Sequence, residues 1–132
     1  MPADRVHFQL FTRTSRSRKR KSLGEPIALS QWRELVAGFD ALKLDGWSLV
    51  LGNNRNDLPP EGGFYDAELS DEVARAYGEQ VCSVGFEVLA GALRQTHPSL
   101  DEVALADNLS KLHTVYREAM ANDAWLDITA GP

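Results

Sequence analysis

Through residues 71–120 apolar side chains recur every three or four positions, the spacing that lines one face of an α-helix. Val73, Tyr77, Val81, Val84, Val88 and Ala92, widened by Leu89 and Leu93, make one stripe. Leu105, Leu109, Leu112, Tyr116 and Met120 make a second. A chain of 132 residues that commits so much length to helix has only short stretches left for strands. Amphipathic helices must bury their stripes on something, and the natural partner here is a small sheet.

The first strand reads clearly. In Arg5–Thr12 the residues Val6, Phe8 and Leu10 alternate with His7, Gln9 and Phe11, the period-two pattern of a half-buried strand. A polar, basic loop follows over 13–24, then a short extended piece over 26–29. Ser30 is a candidate N-cap for a helix over 31–43, with Trp32, Leu35, Val36, Phe39 and Leu42 on its inner face. Asp45-Gly46 reads as a turn. The almost unbroken apolar run Trp47–Gly52 reads as a strand central in the sheet. Residues 52–63 hold nearly every turn-forming residue type and predict a long flexible loop. Phe64–Leu69 is a candidate edge strand.

Ser70 caps the predicted helix 71–95, whose first-turn Asp71 and Glu72 complement the helix dipole. Gly78, Gly85 and Gly91 weaken that helix, and close packing on the sheet is the expected compensation. Ser99–Glu102 matches a capping box for the last helix, with Asp107-Asn108 a candidate break. Trp125–Thr129 reads as a final short strand or a tail packed on the core. The expected fold is α+β: a small, mostly antiparallel sheet packed on one face by two or three helices, as a single domain over 1–132.

Charge is distributed unevenly. Residues 1–22 carry seven basic residues and one acid, a net of +6, whereas 23–132 carry seven bases and 18 acids, a net of −11. An acidic body repels nucleic acid and anionic membranes and attracts cationic partners. The cluster Arg16, Arg18, Lys19, Arg20 and Lys21 acts locally in the opposite sense, because clustered cations gain affinity for phosphate by releasing counterions. No apolar run approaches the roughly 18 residues that span a bilayer, and the N-terminus lacks the order of a secretory signal. The expectation is a cytoplasmic protein without a membrane role.

No reaction-specific motif is present. His7, His97 and His113 show no paired spacing of metal ligands, so no metal and no cofactor are expected. Cys82 is flanked in sequence by Glu79 and Glu87, which disfavour a thiolate; it reads as a buried, inert thiol rather than a nucleophile. The acid pairs Asp66/Glu68, Asp71/Glu72 and Asp101/Glu102 have structural explanations at turns and helix starts. No catalytic residue is assigned.

Two function classes follow. In the first, a non-enzymatic acidic domain binds and blocks a basic protein partner, most concretely as an immunity or antitoxin-type inhibitor of a toxin enzyme. Phe64, Tyr65, Asp66, Glu68, Asp71 and Glu72 would form the contact, since complementary charge speeds encounter and a few aromatic or carboxylate contacts hold the complex. In the second, a nucleic-acid-associated regulatory protein uses the arm over 13–21 through Arg16, Arg18, Lys19, Arg20 and Lys21. Small residues on the 71–95 helix also leave room for a homodimer.

Overall fold

The computed structural model describes residues 5–13, 20–52 and 65–131. The described residues form one five-stranded antiparallel sheet and five helices, the α+β architecture read from the sequence. Strand β1 (Arg5–Arg13) pairs along one edge with β5 (Trp125–Gly131), and β5 pairs in turn with the edge strand β4 (Tyr65–Leu69). The other edge of β1 is shared by two short strands, β2 (Arg20–Ser22) and β3 (Ile27–Ser30). Of the two readings of 125–129, a final short strand or a tail packed on the core, the strand is the one the fold adopts, and it is central in the sheet.

The alternation of β1 becomes a two-faced sheet. Val6, Phe8 and Leu10 join Leu69, Leu126, Ile128 and Ala130 in one buried face that is continuous with the helical core. Helices α2 (Gly46–Leu51), α3 (Asp71–Cys82) and α5 (Glu102–Ala121) lie against this face. Helices α1 (Trp32–Ala41) and α4 (Phe86–Arg94) pack mainly on the other helices. Among the described residues, no helix is long and apolar enough to cross a membrane.

Several local expectations are corrected. The run Trp47–Gly52 is not a central strand but lies mostly in the helix α2. Asp45 accepts from the Ser48 amide at 3.3 Å and from its hydroxyl at 2.7 Å, which satisfies the first turn. Every residue of α2 except Trp47 is buried, so the run shows no amphipathic period, and burial on all sides reads the same for helix and strand. Gly46 is required there, because a Cβ would collide with the Val36 carbonyl.

Ser30 does not cap α1. It pairs with Arg5 as the last residue of β3, and Gln31 precedes the helix at φ 50° without a side-chain cap. The predicted helix 71–95 is two helices broken at Ser83-Val84-Gly85. The buried positions Ala74, Gly78 and Val81 of α3 are out of phase with Leu89, Ala90 and Leu93 of α4 by about one residue's rotation, so a continuous helix could not bury both sets. Val73 and Val88, placed in a common inner stripe by spacing, are 37% and 57% exposed. Of the three glycines only Gly78 meets a neighbour, and that neighbour is α5 rather than the sheet: a Cβ would lie 3.0 Å from Met120 Sδ and 3.2 Å from Tyr116 Cβ.

The last helix starts two residues later than the capping-box reading. Asp101, not Ser99, is its cap, accepting from the Ala104 amide at 3.1 Å. It continues unbroken through Asp107-Asn108, where buried Asn108 donates to the Ser30 carbonyl at 2.5 Å. One turn from its end, the fully buried Tyr116 donates its hydroxyl to the Leu49 carbonyl at 2.6 Å and ties α5 to α2.

Candidate functional site

The sheet's second face carries the alternate residues of each strand. Antiparallel register sets Phe11 between Ser22 and Trp125, Gln9 beside Asp127 and Glu68 in turn, and His7 beside Thr129 and then Asp66. Arg13 and Arg20 are register partners at the β1–β2 hairpin. None of these residues belongs to the helical core.

Charge and aromatic contacts organise this face. Arg13 Nη2 reaches Glu68 Oε1 at 2.8 Å, and Arg20 Nη2 reaches Asp127 Oδ2 at 3.1 Å. The Arg20 guanidinium stands 3.8 Å from the centroid of the Phe11 ring, and that of Arg13 stands 4.6 Å from the Trp125 ring. Phe11 and Trp125 are themselves neighbours, with centroids 6.3 Å apart. Phe11 is thereby a buried aromatic on the face away from the core, stabilised by cation–π contacts on its own side. All four charged groups are partly exposed, so each ion pair contributes only about 0–1 kcal/mol.

Asp66 lies diagonally across from Asp127, close enough for the two carboxyls to hydrogen-bond. Partial desolvation, then that hydrogen bond and the charge of Asp127, hold the Asp66 carboxyl above its usual range; Arg20 opposes the shift. Immediately beyond β4, Asp71 and Glu72 are exposed in the first turn of α3, which Ser70 caps through the Val73 amide at 3.3 Å. Among the described residues, no ion pair engages Asp66, Asp71 or Glu72.

The two groups of residues singled out from sequence therefore meet. Glu68, one of the proposed contact acids, is held by Arg13, and Arg20, one of the proposed phosphate-binding cations, is held by Asp127. Lys21 is exposed on β2. Phe64, Arg16, Arg18 and Lys19 lie outside the described residues, as does nearly all of the 52–63 loop; of Tyr65 only the backbone pairing with Ala130 is described. Sequence reasoning missed Asp127, Arg13 and Trp125 as members of this face. The signal was present in the alternation of 125–129, whose outward phase holds Trp125, Asp127 and Thr129.

Elsewhere the reactive side chains have structural roles. His113 Nε2 lies 3.0 Å from the Val81 carbonyl and 2.9 Å from that of Val84, bracing the break between α3 and α4. His97 is exposed beside Thr96. Cys82 is half-buried rather than fully buried; desolvation raises its thiol, and the charge it meets in space is Arg117, which opposes the shift, not the glutamates adjacent in sequence. Arg94 bridges Glu87 at 3.7 Å and Glu102 at 2.5 Å, linking α4 to the start of α5; the Glu102 carboxyl is lowered by that partner. Among the described residues no group of three or more His, Cys, Asp or Glu converges as metal ligands, and no pocket opens.

No protein-family model matches the chain, and no curated protein matches it in sequence. A solved structure is similar: the crystal structure of YfbM, a protein of unknown function from Escherichia coli. It aligns with a TM-score of 0.52 over 95% of this chain and 99% of its own, at 14% sequence identity. What the two share is the fold.

Proposed function

We propose that this chain is a non-enzymatic protein-binding domain that occludes a basic partner, most concretely an immunity or antitoxin-type inhibitor of a toxin enzyme. The observation that supports this reading is the placement of Asp66, Asp71 and Glu72. Asp66 lies on the edge strand β4, Asp71 and Glu72 follow in the exposed first turn of α3, and among the described residues no ion pair engages them. Glu68 and Asp127 extend the same acidic run inward, although each already holds an arginine. Exposed carboxylates on rigid elements steer a cationic partner and fix its register, and the formal net charge of −5 acts in the same direction at long range.

The test is affinity capture from nuclease-treated native lysate with three tagged baits. The first is the wild type, and the second carries Asp66→Asn, Asp71→Asn and Glu72→Gln. A third bait, Glu25→Gln, Glu34→Gln and Glu118→Gln, removes equal charge elsewhere. The reading predicts one stoichiometric basic protein, released by salt, retained by the wild type and the third bait and lost from the second. Equal retention by all three removes these residues from the interface. Capture seen from untreated lysate but absent from nuclease-treated lysate transfers the function to the basic arm.

A further inference from the structure

We infer that the β1–β2 hairpin is a built-in competitor at the acidic face, with Arg13 and Arg20 occupying the positions that arginines of a basic partner would take. The inference rests on the protein-binding reading above and adds a level of regulation to it. The contacts that carry it are the two bridges, Arg13 to Glu68 at 2.8 Å and Arg20 to Asp127 at 3.1 Å, each combined with an aromatic ring beneath the guanidinium. Planar guanidinium groups suit carboxylates and aromatic faces together, so an arginine-rich segment is the occupant this arrangement accepts.

The hairpin's basic groups come from β1 and β2, whereas the acids they meet come from β5 and β4. Intramolecular pairing needs no loss of translational freedom, so a partner arginine must displace a tethered one. Both pairs are partly exposed, with side-chain exposures of 36% and 33% for Arg13 and Glu68 and of 43% and 20% for Arg20 and Asp127. Exposed pairs are weak, so displacement is accessible and the hairpin attenuates binding without abolishing it. His7, Gln9 and Thr129 complete the surroundings of Asp66 and Asp127 on this face.

The experiment measures binding of fluorescein-labelled nona-arginine to the full chain by anisotropy at low salt. Arg13→Gln with Arg20→Gln is expected to tighten binding roughly threefold to tenfold, the range for removing two partly exposed competing ion pairs. Lys21→Gln with Lys43→Gln, an equal charge change away from the acids, sets the reference; tightening beyond it is the competitor's contribution. Adding Glu68→Gln and Asp127→Asn should cancel that excess. In the wild type, the arginine side-chain Nε–H resonances of Arg13 and Arg20 should shift as peptide saturates, a readout independent of any variant's folding. Peptide binding with equal tightening in both arginine and lysine variants, or with those resonances unmoved, overturns the competitor and leaves the binding reading in place. No binding to any variant overturns both.

Discussion

The bond between Tyr116 and Leu49 joins the one helix that sequence patterning did not reveal to the longest helix in the molecule, and Tyr116→Phe tests it with the loss of a single oxygen. The ring of Tyr116 is fully buried, so the substitution keeps the packing and removes only the donor that reaches the Leu49 carbonyl at 2.6 Å. Burial also pushes the hydroxyl well above its ordinary range, so it is a protonated donor at every practical pH. A buried acceptor left without its partner costs about 1–3 kcal/mol, and the relief of desolvating the phenol oxygen offsets part of this, for a net near 1.5 kcal/mol. At about 2.1 cal/mol/K per residue, a chain of 132 residues loses close to 4 °C in Tm per kcal/mol, so the expected drop is about 5 °C. Urea unfolding followed by tryptophan fluorescence should show a lower midpoint with an unchanged m-value. Tyr77→Phe is the control, since the Tyr77 hydroxyl makes no hydrogen bond among the described residues; it should stay within about 0.5 kcal/mol of wild type. A Tyr116→Phe protein as stable as the control would refute the docking of α5 on α2.

Three further outcomes follow from the same contacts. Gly91 lies in α4 with open space where a Cβ would go, so Gly91→Ala should stabilise by up to about 1 kcal/mol, whereas Gly78→Val, pressed against Met120 and Tyr116, should cost about 1–3 kcal/mol; both are read by thermal melts. Because the folded protein raises the Asp66 carboxyl, the stability linked to that group is fully present below its unfolded value and is lost as pH rises through the folded value. Asp66→Asn should therefore gain relative to wild type as pH climbs from the acidic range to neutrality, and a difference that stays flat across that window contradicts the raised Asp66 carboxyl. With Arg20 held by Asp127 and a formal net charge of −5, a 20-nucleotide single strand should show no retention at 150 mM salt; retention that disappears on replacing Arg16, Arg18, Lys19 and Lys21 would assign the arm its own function.

The sheet was legible wherever one face is buried and the other polar. Val6, Phe8 and Leu10 on β1 alternate with outward residues, and the edge position of β4 follows from its short length and its acids. Segments buried on all sides lost that signal: α2 has no polar face, so its period could not be read. The break in the 71–95 segment was hidden for another reason. Val84 and Val88 continue the spacing of α3 in sequence, but α4 turns Leu89 and Leu93 inward instead, a choice made by packing against α1. Of the acids on the candidate face, Asp66 and Glu68 were found individually from the sequence and Asp127 was not. The coupling of this face's acids to Arg13 and Arg20 was not found either, because ion pairs between strands distant in sequence depend on sheet order, which no local pattern encodes.

The claim that this chain acts by occlusion is tested most directly by titrating it into a purified basic partner while following that partner's own activity. The account predicts that activity falls linearly to zero at one equivalent, and that the Asp66→Asn, Asp71→Asn and Glu72→Gln protein associates more slowly, with a flatter dependence on salt. Full complex formation with the partner's activity intact, or inhibition identical in the variant, would contradict it.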